Sequence, residues 1–282
     1  MSEKRSRRKP TQGRSTRGKS QGRNSQRRKT SWDPIAQWYD GWVGKDGSKH
    51  HRHLALPAVI DLLDPQPGER ILDVGAGQGV LAPSIKEAGA DYVGVEISAQ
   101  LLELGVKHHG KIGTFIEGDA RDLPDLAGIE AGGFDGVVFL LSLQDMDPLQ
   151  PVLDNAAWAL REGGRIVLLM THPAFRVPRQ SGWGWDENRK LQYRRVDRYL
   201  TPLPVPLKAY EGGVTRSFHR PLNDYINGLA AAGLLTAQML EIPTYKEARG
   251  PKAKAEKRAN EEIPLFLGLL AIKIGWVDES DV

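Results

Sequence analysis

Hydrophobic positions along this chain change period in a regular way. Around 54–63, Leu56, Val59, Ile60 and Leu63 fall at i, i+3, i+4 and i+7, the apolar stripe of a helix. Asp64-Pro65-Gln66-Pro67-Gly68 stops it, because neither proline donates a backbone bond and the glycine turns the chain. Short apolar runs at 70–74, 92–97, 114–117, 134–141 and 165–170 read as strands. Helices are predicted between them at 79–88, at 98–109 with Ser98 as cap and Gly110 as stop, and at 148–161 running into Gly163-Gly164. The unbroken run Ile166-Val167-Leu168-Leu169-Met170 fits a strand covered on both faces. Strand–helix alternation of this length predicts an α/β, doubly wound, mostly parallel sheet with right-handed crossovers.

The pattern breaks at Thr171. Residues 172–214 are rich in proline, aromatics and arginine and show no clear period, which predicts a functional lid or insertion rather than a plain loop. Regular structure returns with a helix near 221–232 and strands near 234–241 and 264–274. The charged stretch 246–262 reads as a solvated helix or loop.

Charge divides the chain a second way. Residues 1–30 carry twelve Lys and Arg against the single acid Glu3, a net of +11, and the remaining 31–282 carry 27 basic and 34 acidic residues, a net of −7. The arm is Gly/Ser/Gln/Arg/Lys low complexity with nothing to bury, so it is predicted to be disordered, with one domain over 31–282. Between Lys4 and Ser31 it has no Leu, Ile, Val, Phe or Trp, so it cannot form the amphipathic helix of a transit peptide. No h-region marks a secretory signal and no apolar run reaches the roughly 18 residues of a membrane span; the expected location is cytoplasmic. The absence of cysteine excludes disulfides, Cys-ligated metals and Cys nucleophiles.

The strongest chemical signal is Leu72-Asp73-Val74-Gly75-Ala76-Gly77-Gln78-Gly79, at the end of the first strand. Glycines are needed where the chain turns sharply and a ligand approaches the backbone. Glu96 ends the second strand, where a carboxylate can accept both hydroxyls of a ribose. Asp119 follows the third strand, placed to accept from an adenine amino group. Asp73 discriminates between ligands: a pyrophosphate on the helix N-terminus would be repelled by it, whereas an amino group and a cationic sulfur would be attracted.

These segments resemble the class I S-adenosylmethionine-dependent methyltransferases of the small-molecule type. The resemblance rests on Leu72–Gly79, Gly94-Val-Glu-Ile-Ser98, Glu117-Gly-Asp-Ala-Arg-Asp-Leu-Pro124, Phe134-Asp-Gly-Val-Val138 and Leu160-Arg-Glu-Gly-Gly-Arg-Ile-Val167, with weaker likeness to about 275. It implies a Rossmann-like methyltransferase fold, a seven-stranded mostly parallel sheet with the insertion after strand 5 and an antiparallel last strand. It also implies S-adenosylmethionine as cofactor, with Gly75, Ala76 and Gly77 along the methionine moiety, Glu96 at the ribose, Asp119 and Ala120 at the adenine, and Ile97 among the cofactor-binding residues. Asp73 would act through the loop, and Tyr39 matches an aromatic that closes over the cofactor.

After the fourth strand, Leu141-Ser-Leu-Gln-Asp-Met146 lacks the Asn/Asp-Pro-Pro-aromatic tetrad of amino-methylating nucleic-acid enzymes. A small-molecule acceptor with an O, N or C nucleophile is therefore the leading expectation. His172, directly after the fifth strand, is the candidate base. Gln144, Asp145, His219 and Arg220 are candidates for orienting the acceptor, and Trp183, with other lid aromatics including Tyr210, for roofing its pocket. No metal site is expected: the spacing and glycine-flanked setting of His50, His51 and His53 read as a solvated loop. Two alternatives stand beside this reading. The basic arm could give non-specific RNA or polyanion contact to an RNA- or ribosome-associated methyltransferase, or the protein could bind the cofactor as a non-catalytic interaction partner.

Overall fold

Five apolar runs of the first half become parallel strands: β1 (Arg70–Val74), β2 (Asp91–Glu96), β3 (Gly113–Glu117), β4 (Phe134–Leu140) and β5 (Leu160–Thr171). The computed structural model describes residues 30–208 and 213–275. The predicted disorder of the basic arm, and Tyr210, lie outside the described residues. Further along, β6 (Ser181–Asp186) pairs with β7 (Leu191–Val196), and β8 (Leu203–Lys208) with β9 (Val214–His219), as separate antiparallel hairpins. The last strands are β10 (Leu234–Ile242) and β11 (Phe266–Lys273). The main sheet has the order β10-β11-β5-β4-β1-β2-β3, with β11 antiparallel to both its neighbours. This is the predicted seven-stranded, mostly parallel fold.

The period-two burial of the strands builds two cores. Ile71, Val138, Val167 and Leu169 point to one face, under α2 (Leu56–Leu63) and α3 (Ala82–Glu87). Their chain neighbours Leu72, Val137, Ile166 and Leu168 point to the other, under α5 (Leu149–Ala159) and α6 (Leu222–Ala231). Leu63 and Ile71 are completely buried, each worth about 1.5–3 kcal/mol relative to exposure. On the first face, α4 (Ala99–His109) packs against β2 and β3 and carries α1 (Ala36–Val43), with Leu101 and Leu104 against Ala36. Ser98 caps α4 as predicted, its hydroxyl accepting from the Leu101 amide.

Three local readings change. The fifth strand begins at Leu160, earlier than the apolar run: Leu160 pairs with Phe134, and a bulge with Gly163 at φ 70° absorbs the extra residues before Arg165 pairs with Gly136. The aperiodic segment after Thr171 holds two hairpins. Pro204 and Pro206 fit β8 because its ribbon is only two strands wide and leaves an unpaired edge. The histidine cluster is not a solvated loop, since a wide π-helical turn over His51–Ala55, with the Leu56 amide donating to the His51 carbonyl, leads directly into α2, and His51 is buried in it. The charged stretch forms α7 (Ala253–Glu262).

Because β1 to β5 run in parallel, their C-terminal ends share one edge. Strand order reverses between β1 and β4, and ligands of doubly wound sheets bind outside such a switch point. Among the described residues no helix is long and apolar enough to cross a membrane.

Candidate functional site

At that switch point the glycine loop is bolted to the neighbouring strand tips. The Gly75 and Ala76 amides both donate to the Val95 carbonyl, at 2.8 and 3.0 Å, and the Ser142 hydroxyl donates to the Val74 carbonyl at 2.6 Å. Gly75 sits at φ 73°, and a Cβ there would come within 2.7 Å of the Ser142 Cβ and the Met146 Cε. Both the conformation and the space therefore require glycine. Gly77 also has positive φ, and its amide donates to Glu96 Oε2 at 2.8 Å.

Three carboxylates face the resulting cleft together with Tyr39, Ala76, Ile97 and the loop glycines. Glu96 is 5% exposed; its second oxygen accepts from the Ser98 amide at 2.8 Å, so the carboxylate is held in one orientation. Burial raises its pKa despite these bonds. Asp73 is 1% exposed, accepts from the Tyr92 hydroxyl at 2.9 Å through Oδ2, and leaves Oδ1 buried without a protein partner. Burial pushes its pKa up to about 7. Asp145, in the helical turn after β4, is pushed up to about 8 by burial, with the charge of Glu96 adding to the effect. The Tyr39 hydroxyl is raised by burial and by Asp145 and Glu96.

No Lys or Arg lines this part of the cleft, and its one histidine, His51, is held neutral, its pKa pushed down to about 4 by burial. The site is a pocket of under-compensated negative charge with an orphaned carboxylate oxygen, suited to a cationic ligand with N–H donors. That chemistry fits the amino group and sulfonium of S-adenosylmethionine.

Beyond Gly75 and Ile97 the cleft continues past Asp119 and Ala120. Asp119 caps the short helical segment Ala120–Asp125 by accepting from the Arg121 amide at 2.9 Å, and it pairs with the Arg121 guanidinium. Its carboxylate is thus shared with Arg121. Trp32, Met146 and Phe218 supply flat apolar surface there.

The acceptor-side candidates divide. Asp145 reaches the cleft. Gln144, His219 and Arg220 line a smaller adjoining cavity instead. His172 lies in neither: the Ala174 amide donates to its Nδ1 at 3.2 Å and its Nε2 meets Glu241 at 2.9 Å, which commits both ring nitrogens. Burial lowers its pKa, with Glu241 opposing. Trp183 is 39% exposed on the β6–β7 hairpin, with Arg176 and Arg194 each 5.2 Å from its ring centroid. The sequence reading missed Trp32, Gln78 and His51. The signal for His51 was Ser48 three residues earlier, whose hydroxyl lies 2.9 Å from Nδ1 and locks the ring beneath Gly47. Among the described residues no His/Asp/Glu group could hold a metal ion.

Comparison with known proteins agrees with this geometry. Residues 72–168 match the family described as "Methyltransferase domain". The chain is 26% identical over 139 residues to the ubiquinone biosynthesis O-methyltransferase of Xanthomonas axonopodis pv. citri, covering 48% of this chain and 58% of that protein. It is 32% identical over 146 residues to the demethylmenaquinone methyltransferase of Beutenbergia cavernae, covering 52% and 55%. The chain therefore spans little more than half the length of these curated relatives. An S-adenosylmethionine-dependent methyltransferase structure from Mesorhizobium loti shares the fold, with a TM-score of 0.63 and 24% identity over 81% of this chain and all of that one.

Proposed function

We propose, from the premise that this chain carries a domain of the class I S-adenosylmethionine-dependent methyltransferases, that it transfers a methyl group to a small-molecule acceptor. The observation that carries the reading is the cationic complementarity of the cleft: Asp73, Glu96 and Asp145 surround the glycine loop, and Asp73 Oδ1 has no protein partner. The names of the quinone-pathway relatives support a small acceptor.

Bound S-adenosylmethionine supplies an electrophilic methyl on a sulfonium, which an acceptor O, N or C nucleophile displaces in line, leaving S-adenosylhomocysteine. The protein's part is alignment and proton handling. Glu96, fixed by the Gly77 and Ser98 amides, retains lone pairs for the ribose hydroxyls. Asp73 Oδ1 receives the amino group. Ile97, Asp119 and Ala120 border the adenine. Asp145 stands on the acceptor side, and with its pKa raised it is matched to take a proton from a weakly acidic acceptor near neutral pH.

The test is calorimetry with S-adenosylhomocysteine, followed by transfer of labelled methyl groups into the small-molecule fraction of a cell extract. Wild type should bind and label that fraction, and Glu96→Ala should lose about thirtyfold or more in affinity through the lost ribose bonds. Unchanged binding in the variant would refute the assignment of Glu96. Label entering only RNA would favour a role for the basic arm, and label entering no pool would favour the non-catalytic reading.

A further inference from the structure

Behind the turn that carries Asp145, the local charge inverts. A small cavity there is lined by Gln144, Thr171, Arg176, Ser217, Arg220 and Tyr225, among others. The Arg220 side chain is 7% exposed; Nη2 donates to the Met146 carbonyl at 2.7 Å and to Asp147 Oδ1 at 2.8 Å, while Nη1 is buried with no partner. Arg176 spends its Nε and Nη2 on the carbonyls of Pro264 and Ile263, at 3.0 and 3.2 Å. Among the described residues no carboxylate lies within ion-pair distance of it. Burial, with Arg194 nearby, pushes its pKa down to about 10, the mark of a cation lacking its counter-charge.

The other polar groups are largely committed. Ser217 Oγ donates to the Gln144 carbonyl, Gln144 Nε2 to the Leu141 carbonyl, and His219 Nε2 to the Tyr199 carbonyl. The Tyr225 hydroxyl lies against the Arg220 guanidinium, and beyond it what remains is a surplus of guanidinium donors. A buried donor left unsatisfied is costly, and a planar guanidinium fork matches a two-oxygen anion better than it matches water. Phe218 lines both this cavity and the main cleft, and the consecutive residues Gln144 and Asp145 face the cavity and the cleft respectively.

We propose that this cavity is the anchoring subsite for a carboxylate of the methyl acceptor, held by Arg220 and Arg176, with the rest of the acceptor lying across Phe218 beside Asp145. The proposal rests on the methyl-transfer reading and narrows its acceptor to an acid.

Full-length protein saturated with S-adenosylhomocysteine is titrated with benzoate and with its neutral isostere benzamide. Benzoate should bind at least tenfold more tightly. Arg176→Gln and Arg220→Lys should each lose about tenfold or more for benzoate, with benzamide unchanged, because a charge-assisted fork is removed. Arg220→Lys also loosens the Met146–Asp147 segment, so Arg176→Gln is the variant that keeps the test clean if the lysine form misfolds. Equal binding of benzoate and benzamide, or wild-type benzoate affinity in Arg176→Gln, would overturn the proposal and leave a cavity that holds only water. Failure of S-adenosylhomocysteine to bind wild type would instead overturn the methyl-transfer reading, so the two failures are distinguishable.

Discussion

The cleft at the glycine loop and the cavity behind the Gln144–Asp145 turn are neighbours with opposite electrostatic faults. In the first, Asp73 and Glu96 are buried and Asp145 half-buried with too little positive charge, and each has its pKa raised. In the second, Arg176 and Arg220 meet too few acids. Folding alone gains nothing from either arrangement, since burying an under-compensated charge costs free energy. Each imbalance would be relieved by a ligand with the complementary sign. The chain's net charge of +4 describes neither place.

The largest test of the contrast is Asp145→Asn, which removes the proposed acceptor-side base while keeping the shape of the turn. kcat should fall about 10²–10⁴-fold, the usual contribution of a positioned base, with S-adenosylhomocysteine affinity unchanged. Single-turnover transfer of labelled methyl measures this directly. A variant with full kcat would show that the acceptor nucleophile needs no base, and Asp145 would then be only an electrostatic neighbour of the sulfonium.

The two regions were also unequally legible. The glycine loop and Glu96 could be read because their roles are set by backbone: a sharp turn after a strand, and a carboxylate at the next strand's end. Asp73 could be read because it stands beside those glycines. The arginine cavity could not be read in this way. Arg176, Ser217 and Arg220 come together only after β9 folds back over the turn following β4, which no local period announces. His172 illustrates the opposite error: a histidine at a strand tip looked catalytic, yet β10 reaches it first and Glu241 takes its Nε2. His51 reads as solvated from the i, i+1, i+3 spacing of the three histidines and their glycine-flanked setting. Its ring is held by Ser48 and Gly47, three and four residues earlier, a local contact that the hydrophobic pattern does not register.

A second test reads the acids through stability. An aspartate titrates near pH 3.9 when unfolded, while Asp73 and Asp145 titrate near 7 and 8 in the fold. Between those limits the folded state holds protons that the unfolded state has released, so this contribution is complete below the unfolded value. It is lost as pH rises toward 8. The ligand-free Tm should therefore fall by roughly 10 °C or more between pH 5 and pH 8. In Asp145→Asn the fall should be visibly smaller. A Tm that rises over this window in wild type would mean the two acids are compensated in solution and the cleft is not anionic.

The smallest effect isolates a single charge. S-adenosylmethionine and S-adenosylhomocysteine differ at the sulfur by one methyl and one positive charge, so their affinity ratio cancels the contacts they share. As pH rises from 6 to 8, Asp73 and then Asp145 ionise beside Glu96 and Tyr39. The ratio should move about threefold in favour of the sulfonium, the scale of one partly screened charge pair at protein-like dielectric. Competition binding at the two pH values measures it, and Asp145→Asn should flatten the dependence. If the ratio stays constant in wild type, the raised acids do not sense the sulfonium and the charge contrast between the two neighbouring sites loses its anionic half. A shift that survives in Asp145→Asn would instead place the responsible carboxylate at Asp73, on the strand rather than on the turn.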